Sequence, residues 1–251
     1  MILYEYPFNE RLRTYLRLEH LFVRLGELVR RTHPLDHHFA LMTTFEIMDV
    51  AARADLKSDV LKDLDRHRQQ LDSYRGNPGV SEAALDGVLG QLNHCFTTLN
   101  AQSGKAGQAL AENDWLMSIR SRMGIPGGTC GFDLPAYYAW QHGAPAQRQH
   151  DLQTWAASLA PLAESVYLLL RLMRDAGLPQ KVAAERGQFQ QTLPQGRTFQ
   201  LLRLRINQSL RLIPEISGNR LIVSVRLMRQ NESGNLVAST EDASFELTLC
   251  S

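Results

Sequence analysis

The stretch ILYEYPFNERLRTYLRLEHLFVRLGELVRR, residues 2–31, changes its period near its start, and that change decides the fold. ILYEYP is short, rich in β-forming residues and stopped by Pro7, so it reads as a strand. From Asn9 onward the apolar residues recur at helical spacing, and Asn9 itself suits an N-cap, so a helix is expected to reach about Arg31. A strand followed only by helices has no local partner for its backbone N–H and C=O groups. Its ladder must come from far along the chain.

The tail supplies it. Up to about residue 176 the pattern is helical, with helices expected over Pro34–Arg53, Leu56–Tyr74, from Ser81 onward, over Lys105–Met123, and as one long helix over Ala144–Ala176. The turn GNPG, residues 76–79, separates the third from the fourth. Beyond about residue 180 come FQQTL, LLRLRIN, LRLIPEI, LIVSVRLMR and SFELTLC, with ISGN and NESGN as turns. Alternation is clearest at Leu221, Val223, Val225 and Leu227 and at Phe245, Leu247 and Leu249. The expected class is α+β: an N-terminal helical bundle domain (8–123 and 144–178) and an antiparallel β-sheet domain. The latter is discontinuous, built from 1–7, 124–143 and 179–251, with the N-terminal strand joining a C-terminal sheet of four or five strands.

Bulk numbers narrow the function. The chain has 251 residues and a formal net charge of +1, which disfavours a wholesale polyanion binder but allows a local basic patch. Cys95, Cys130 and Cys250 are far apart and form no CxxC pair, so neither a disulfide framework nor a zinc ribbon is expected. No apolar run reaches membrane-spanning length and no basic segment leads into one, so the expectation is a cytoplasmic protein without membrane insertion.

Within Glu10–Arg31 there are six arginines and three glutamates. On a helical wheel Arg13, Arg17, His20, Arg24 and Arg31 fall within about 60° of one another. They form a ridge facing away from the apolar positions. A solvated helix face usually mixes signs, whereas this ridge is nearly single-signed and uses arginine throughout, whose planar fork suits carboxylates and phosphates. Arg53, Arg120, Arg122 and Arg148, with Arg203, Arg205, Arg211, Arg220 and Arg226 in the strands, could converge on it. A cleft lined by several of these would attract an acidic ligand.

Other candidates are weaker. HPLDHH, residues 33–38, offers three histidines, but His37 and His38 are adjacent and diverge on a helix, so a capped helix start is preferred to a metal site. GIPGGTCGFD, residues 124–133, lacks the GK[ST] ending of a phosphate-binding loop, and Cys130 with His142 lacks an orienting third group. YYAWQH, residues 137–142, with Trp155 and Tyr167, reads as core or interface rather than a base-stacking platform. No catalytic residue, metal or cofactor is expected.

Five segments carry a resemblance: YPFNERLRTYLRLEHL (6–21), VLKDLDRHRQQL (60–71), IPGGTCGFDLPAYYAWQH (125–142), QTWAASLAPL (153–162) and PEISGNR (214–220). In this order, across nearly the whole chain, they resemble the bacterial ZapD family of cell-division proteins. The resemblance implies a helical domain paired with a β-strand domain, a homodimer, and a non-enzymatic cytoplasmic protein at mid-cell. It implies a basic cleft that binds the C-terminal tail of the tubulin-like protein FtsZ, so that a dimer bundles filaments and stabilises the Z-ring. The positions implied are Arg13, Arg17, Arg53, Arg120, Arg122, Arg148 and Arg226; His20 and Arg24, which share the ridge with Arg13 and Arg17, and Arg220 complete the expected partner-binding set. Trp115, Tyr138 and Ile222 depart from the basic residues or histidine expected in some relatives, and Arg220 is read as a substitute for the last. The alternative is a nucleic-acid binder using the same ridge, against which the near-neutral total charge counts; no nucleic-acid partner is expected. The helical domain is the expected dimer interface.

Overall fold

The computed structural model describes residues 1–53 and 55–251. The fold is α+β, and the chain forms two compact units: Met1–Thr14 with Leu170–Ser251, and Tyr15–Leu169. The passages from one to the other fall inside helices.

In the strand-bearing unit, β1 (Ile2–Pro7) pairs antiparallel with β4 (Leu201–Ile206), Tyr4 opposite Leu204. The N-terminal strand does find its ladder in the C-terminal sheet. β4 in turn pairs with β8 (Ala243–Cys250), and β8 with β2 (Pro179–Ala184), giving the order β1-β4-β8-β2. A second sheet joins β3 (Gln188–Thr192), β6 (Ile222–Gln230) and β5 (Ile213–Gly218), with β7 (Leu236–Ala238) on β6. A single sheet was expected; among the described residues there are two. The added strands have weak signals. PQKVAA is largely exposed on the sheet edge, and LVA is too short to show a period.

The two sheets share one core, which alternation dictates. Leu202, Leu204 and Ile206 of β4, Val223, Val225 and Leu227 of β6, and Ala243, Phe245 and Leu247 of β8 all point into it. Phe189 meets Phe245 edge-on at 5.6 Å across the sheets. On the other face of the first sheet lies a half-buried ion clasp. Glu5 of β1 accepts from Arg174 Nε (2.8 Å) and Nη2 (2.6 Å) and from Arg203 Nε of β4 (3.0 Å). Gly177 passes so close that a Cβ there would lie 2.5 Å from Thr248 Cγ2.

In the helical unit, α1 (Glu10–Arg30) starts as expected: Leu12 N–H donates to Asn9 Oδ1 at 2.8 Å. α2 (Pro34–Ala51) is capped by His33, whose ring accepts from Leu35 N–H, with proline at its first position. α3 (Leu56–Asp72) and α4 (Glu82–Ala101) follow, the latter capped by Ser81. Tyr15 of α1 donates to Asp63 of α3 at 2.8 Å in the interior. Leu18, Leu41, Leu64, Leu92, Leu116 and Leu162 are among the fully buried side chains.

Two helical expectations are corrected. The helix expected over Lys105–Met123 starts only after Gly107, left-handed at φ +82°, and is split into α5 (Gln108–Ala111) and α6 (Asp114–Met123), where the Asn113 side chain caps α6. The long helix over Ala144–Ala176 is α8 (Pro145–Ala157) and α9 (Ala160–Asp175), bent by 66°. Pro161 explains the bend: it has no N–H to continue the ladder and its ring excludes the preceding turn's carbonyl. Residues 124–143, expected with the strands, lie within Tyr15–Leu169 and contain α7 (Pro135–His142). Its Tyr137 hydroxyl bonds to His38 of α2. Among the described residues no single helix is long and apolar enough to cross a membrane.

The clasp around Glu5 gives the first prediction. Glu5→Ala leaves two half-buried guanidiniums facing each other without their acid, and should cost about 3 kcal/mol of unfolding free energy. Urea denaturation of the variant beside wild type measures it.

Candidate partner-binding surface

The ridge on α1 is less uniform than its sequence. Arg13 Nε lies 3.1 Å from Glu10, Arg24 Nη2 lies 2.6 Å from Glu46 of α2, and Arg31 lies 3.4 Å from Asp36. Arg24 Nε also donates to Thr43 (2.9 Å). The neutralising Glu46 and Asp36 come from the neighbouring helix, so no wheel of α1 could show them. What remains is the middle. Arg17 and His20 are exposed, one turn apart, and no acid among the described residues pairs with either.

The other expected residues divide into groups. Arg120 of α6 pairs with Asp49 of α2. Arg226 of β6 pairs at 2.7 Å with Glu215, its cross-strand neighbour in β5. Arg53 is exposed just past α2 and has a partner of its own. Arg122 and Arg220 are exposed, with no acid partner among the described residues. Arg13, Arg220 and Arg226 belong to the strand-bearing unit, and Arg17, His20, Arg24, Arg53, Arg120 and Arg122 to the helical one.

Arg148 of α8 is built into the interior. It is 2% exposed. Its Nε donates to His37 Nδ1 (3.0 Å), Nη1 to the Gln141 (3.0 Å) and Gly143 carbonyls, and Nη2 to the Thr32 carbonyl (2.7 Å). Two of these carbonyls close the C-terminal end of α7, where a cation is favoured. Arg148 therefore serves as a brace, and its expected partner-binding role does not suit this placement.

The histidine run is likewise structural. His37 Nε2 donates to the Arg31 carbonyl (2.7 Å), consistent with Nδ1 accepting from Arg148. Gln141 donates to the Tyr137 hydroxyl (3.2 Å), which leaves that hydroxyl to donate to His38 Nδ1 (2.7 Å). Burial holds the pKa of both histidines below the ordinary 6.5, and it pushes the Tyr137 phenol up. Tyr137, Trp140, Trp155 and Trp115 pack ring on ring with centroids 5.3–6.3 Å apart, while Tyr167 packs apart from them on Phe22. Trp115 thus belongs to a packed cluster. The Cys130 thiol donates to the Gly127 carbonyl (2.9 Å), and His142 Nδ1 bonds to the Tyr138 carbonyl rather than to sulfur.

Two cavities escaped the sequence reading. One, of about 550 Å³ in the helical unit, is lined by Lys57, Lys62 and Lys105. Lys57 holds the Gln102 carbonyl at the end of α4, and Lys105 holds the Ala52 carbonyl at the end of α2 (2.9 Å). Lys57 and Lys105 thus answer helix C-termini. The other, of about 600 Å³, lies wholly in the strand-bearing unit and is lined by Phe8, Phe199, Leu221, Arg197 and Arg220, among others.

Comparison with known proteins adds to this geometry. The model of the ZapD family, described as "Cell division protein", matches residues 16–226. The cell division protein ZapD of Ralstonia pickettii (strain 12J) is 52% identical, over 100% of this chain and 99% of its own length.

Two measurements follow from the placements. Arg148→Ala should cost about 3 kcal/mol or more, since it orphans buried acceptors and leaves a void, whereas Arg17→Ala should change stability by about 0.5 kcal/mol or less; thermal and urea melts compare them. Because the folded-state pKa of His37 and His38 is depressed, the unfolded chain takes up their protons first on acidification. Their contribution is complete above the ordinary pKa of 6.5 and falls as pH drops below it. His38→Gln should flatten the loss of urea stability between about pH 7.5 and about pH 5.5; an unchanged slope would exclude His38 as a contributor.

Proposed function

The chain belongs to the ZapD family of cell division proteins, and on that premise we propose that it binds the C-terminal tail of FtsZ through exposed basic side chains. As a homodimer it bridges FtsZ filaments, bundles them and stabilises the Z-ring at mid-cell. The observation that carries this reading is the acid-free pair Arg17 and His20, which sits in the motif segment YPFNERLRTYLRLEHL on an otherwise neutralised ridge.

The physical argument separates the arginines by what binding would cost. Arg13, Arg24, Arg120 and Arg226 already hold a carboxylate, so an incoming acidic peptide must compete with it. Arg17, Arg122 and Arg220 exchange only water for ligand, and a guanidinium–carboxylate fork is then gained outright. The paired arginines add local field with their acids close by, and exposed pairs of this kind are worth little in themselves. Charge brings the tail in, and apolar side chains of the tail set its register. Two tail sites in a dimer turn weak single contacts into a filament crosslink by effective concentration. The reading requires neither catalysis nor a cofactor.

The experiment is co-sedimentation with FtsZ filaments. Arg17→Glu should reduce bundling and co-sedimentation by about tenfold or more, with the melting temperature little changed. FtsZ without its tail should not bind, and raised salt should weaken binding of intact FtsZ. Unaltered co-sedimentation of Arg17→Glu would refute the assignment of α1.

A further inference from the structure

We propose that the cavity of about 550 Å³ in the helical unit is an anion site, in which Lys57, Lys62 and Lys105 hold a single phosphate group, inorganic or carried by a small molecule. This ligand is distinct from the FtsZ tail, and the site does not depend on the tail reading.

Lysine is scarce in this chain. Of the 27 lysine and arginine residues, 23 are arginine and four are lysine: Lys57, Lys62, Lys105 and Lys181. Three of the four line this one cavity. Two segments bring them there. Lys57, Ser58, Leu61 and Lys62 fall on one side of α3 by helical spacing. The turn after α4 supplies Lys105: Gly104 takes φ +68°, and Lys105 Nζ reaches the Ala52 carbonyl (2.9 Å) at the end of α2. Lys57 Nζ ties α3 to the same turn, donating to the Gln102 carbonyl and, at 3.4 Å, to the Gly104 carbonyl.

These acceptors are neutral carbonyls, so no acid cancels the ammonium charges. Lys62 is exposed, and no carboxylate among the described residues pairs with any of the three lysines. The C-terminal ends of α2 and α4, which Lys105 and Lys57 answer, are each equivalent to about half a negative charge, so about two positive charges remain. Asp65 is the one acid among the described lining residues, and it is already held by Arg68 and by Gln69 Nε2 (2.7 Å). Arg53 also lines the cavity and has a partner of its own. α3 begins beside the lysines with no side-chain cap from Asp55, which adds positive potential on the same side. A phosphate monoester carries about −1.5 to −2 charges near neutral pH and matches the excess. Ammonium groups are compact point charges that converge on a tetrahedral group, whereas the arginine fork favours planar, bidentate partners. The rest of the lining includes Ala51, Leu61 and Phe96, the last with Arg68 over its ring at 5.7 Å. The volume is that of a small-molecule site, with room beyond the phosphate for an apolar or planar body.

The test titrates the full chain with inorganic phosphate and with AMP by calorimetry, and maps contact by acetylation footprinting of the lysines read by mass spectrometry. Lys181, exposed on β2 in the other unit, is the internal control. Both probes should protect Lys57, Lys62 and Lys105 and leave Lys181 unchanged. Tighter binding of AMP supports a small-molecule phosphate, and equal affinities support free phosphate. Lys62→Glu should weaken both probes by about tenfold or more with an unaltered melting curve, and Lys181→Glu should bind as wild type. Failure of both probes to bind at millimolar concentration, unaltered affinity in Lys62→Glu, or equal protection of Lys181 overturns the proposal. So does displacement of AMP by a synthetic FtsZ-tail peptide that Lys62→Glu weakens to the same degree, since the cavity would then belong to the tail. The FtsZ reading is judged separately, by co-sedimentation of Arg17→Glu and of tail-less FtsZ.

Discussion

One carboxylate fixes how the strand-bearing unit is assembled. Glu5 stands on a strand from the beginning of the chain, accepts from Arg203 on the adjacent strand, and accepts twice from Arg174 at the end of α9. An acid held by two arginines in a half-buried place is costly to leave unpaired, so the three segments are held in one arrangement. The register Glu5 opposite Arg203 also puts Tyr4 and Tyr6 on the core side, where they pack against the shared interior of the two sheets. A slip by one residue would turn those aromatics outward and bring Glu5 into the apolar core.

Much of this was legible in the residues, and for a physical reason. Alternation and helical period are local properties, so ILYEYP, the capped start at Asn9, the cap at Ser81 and the strands of the tail could be read directly. The need of a lone strand for a partner then placed β1 with the C-terminal strands. Local reading failed where a neighbour decided the outcome. Pro161 sits in an apolar, leucine-rich run whose helical period continues through it, yet the backbone bends there. The division into two sheets depends on which strands pair, and strands of both sheets alternate alike. PQKVAA forms an edge with little apolar content to announce it.

The same limit governs the candidate site. The wheel of α1 correctly put Arg17 and His20 on an outward face, but it could not show that Glu46 and Asp36 reach over from α2 to hold Arg24 and Arg31. Arg148 carries no mark in its own segment of being buried; its acceptors are carbonyls of residues 32, 141 and 143 and a ring at 37. Counting arginines overestimates a basic surface whenever their acids are supplied by another element. The family relationship narrows the function, and the pairing state of each arginine narrows which of them a ligand can use.

The strand order β1-β4-β8-β2 has a consequence for biosynthesis. β8, at residues 243–250, lies between β4 and β2, so this sheet stays in two pieces until the last of its strands has left the ribosome. β1 emerges first and waits for β4, some two hundred residues later, while the helices of Tyr15–Leu169 are already free to condense. Pairings of such separation are slow to form, and the waiting edge is open to wrong partners. The nascent protein is thus a helical body already able to pack while its earliest strand still lacks the ladder that satisfies its backbone.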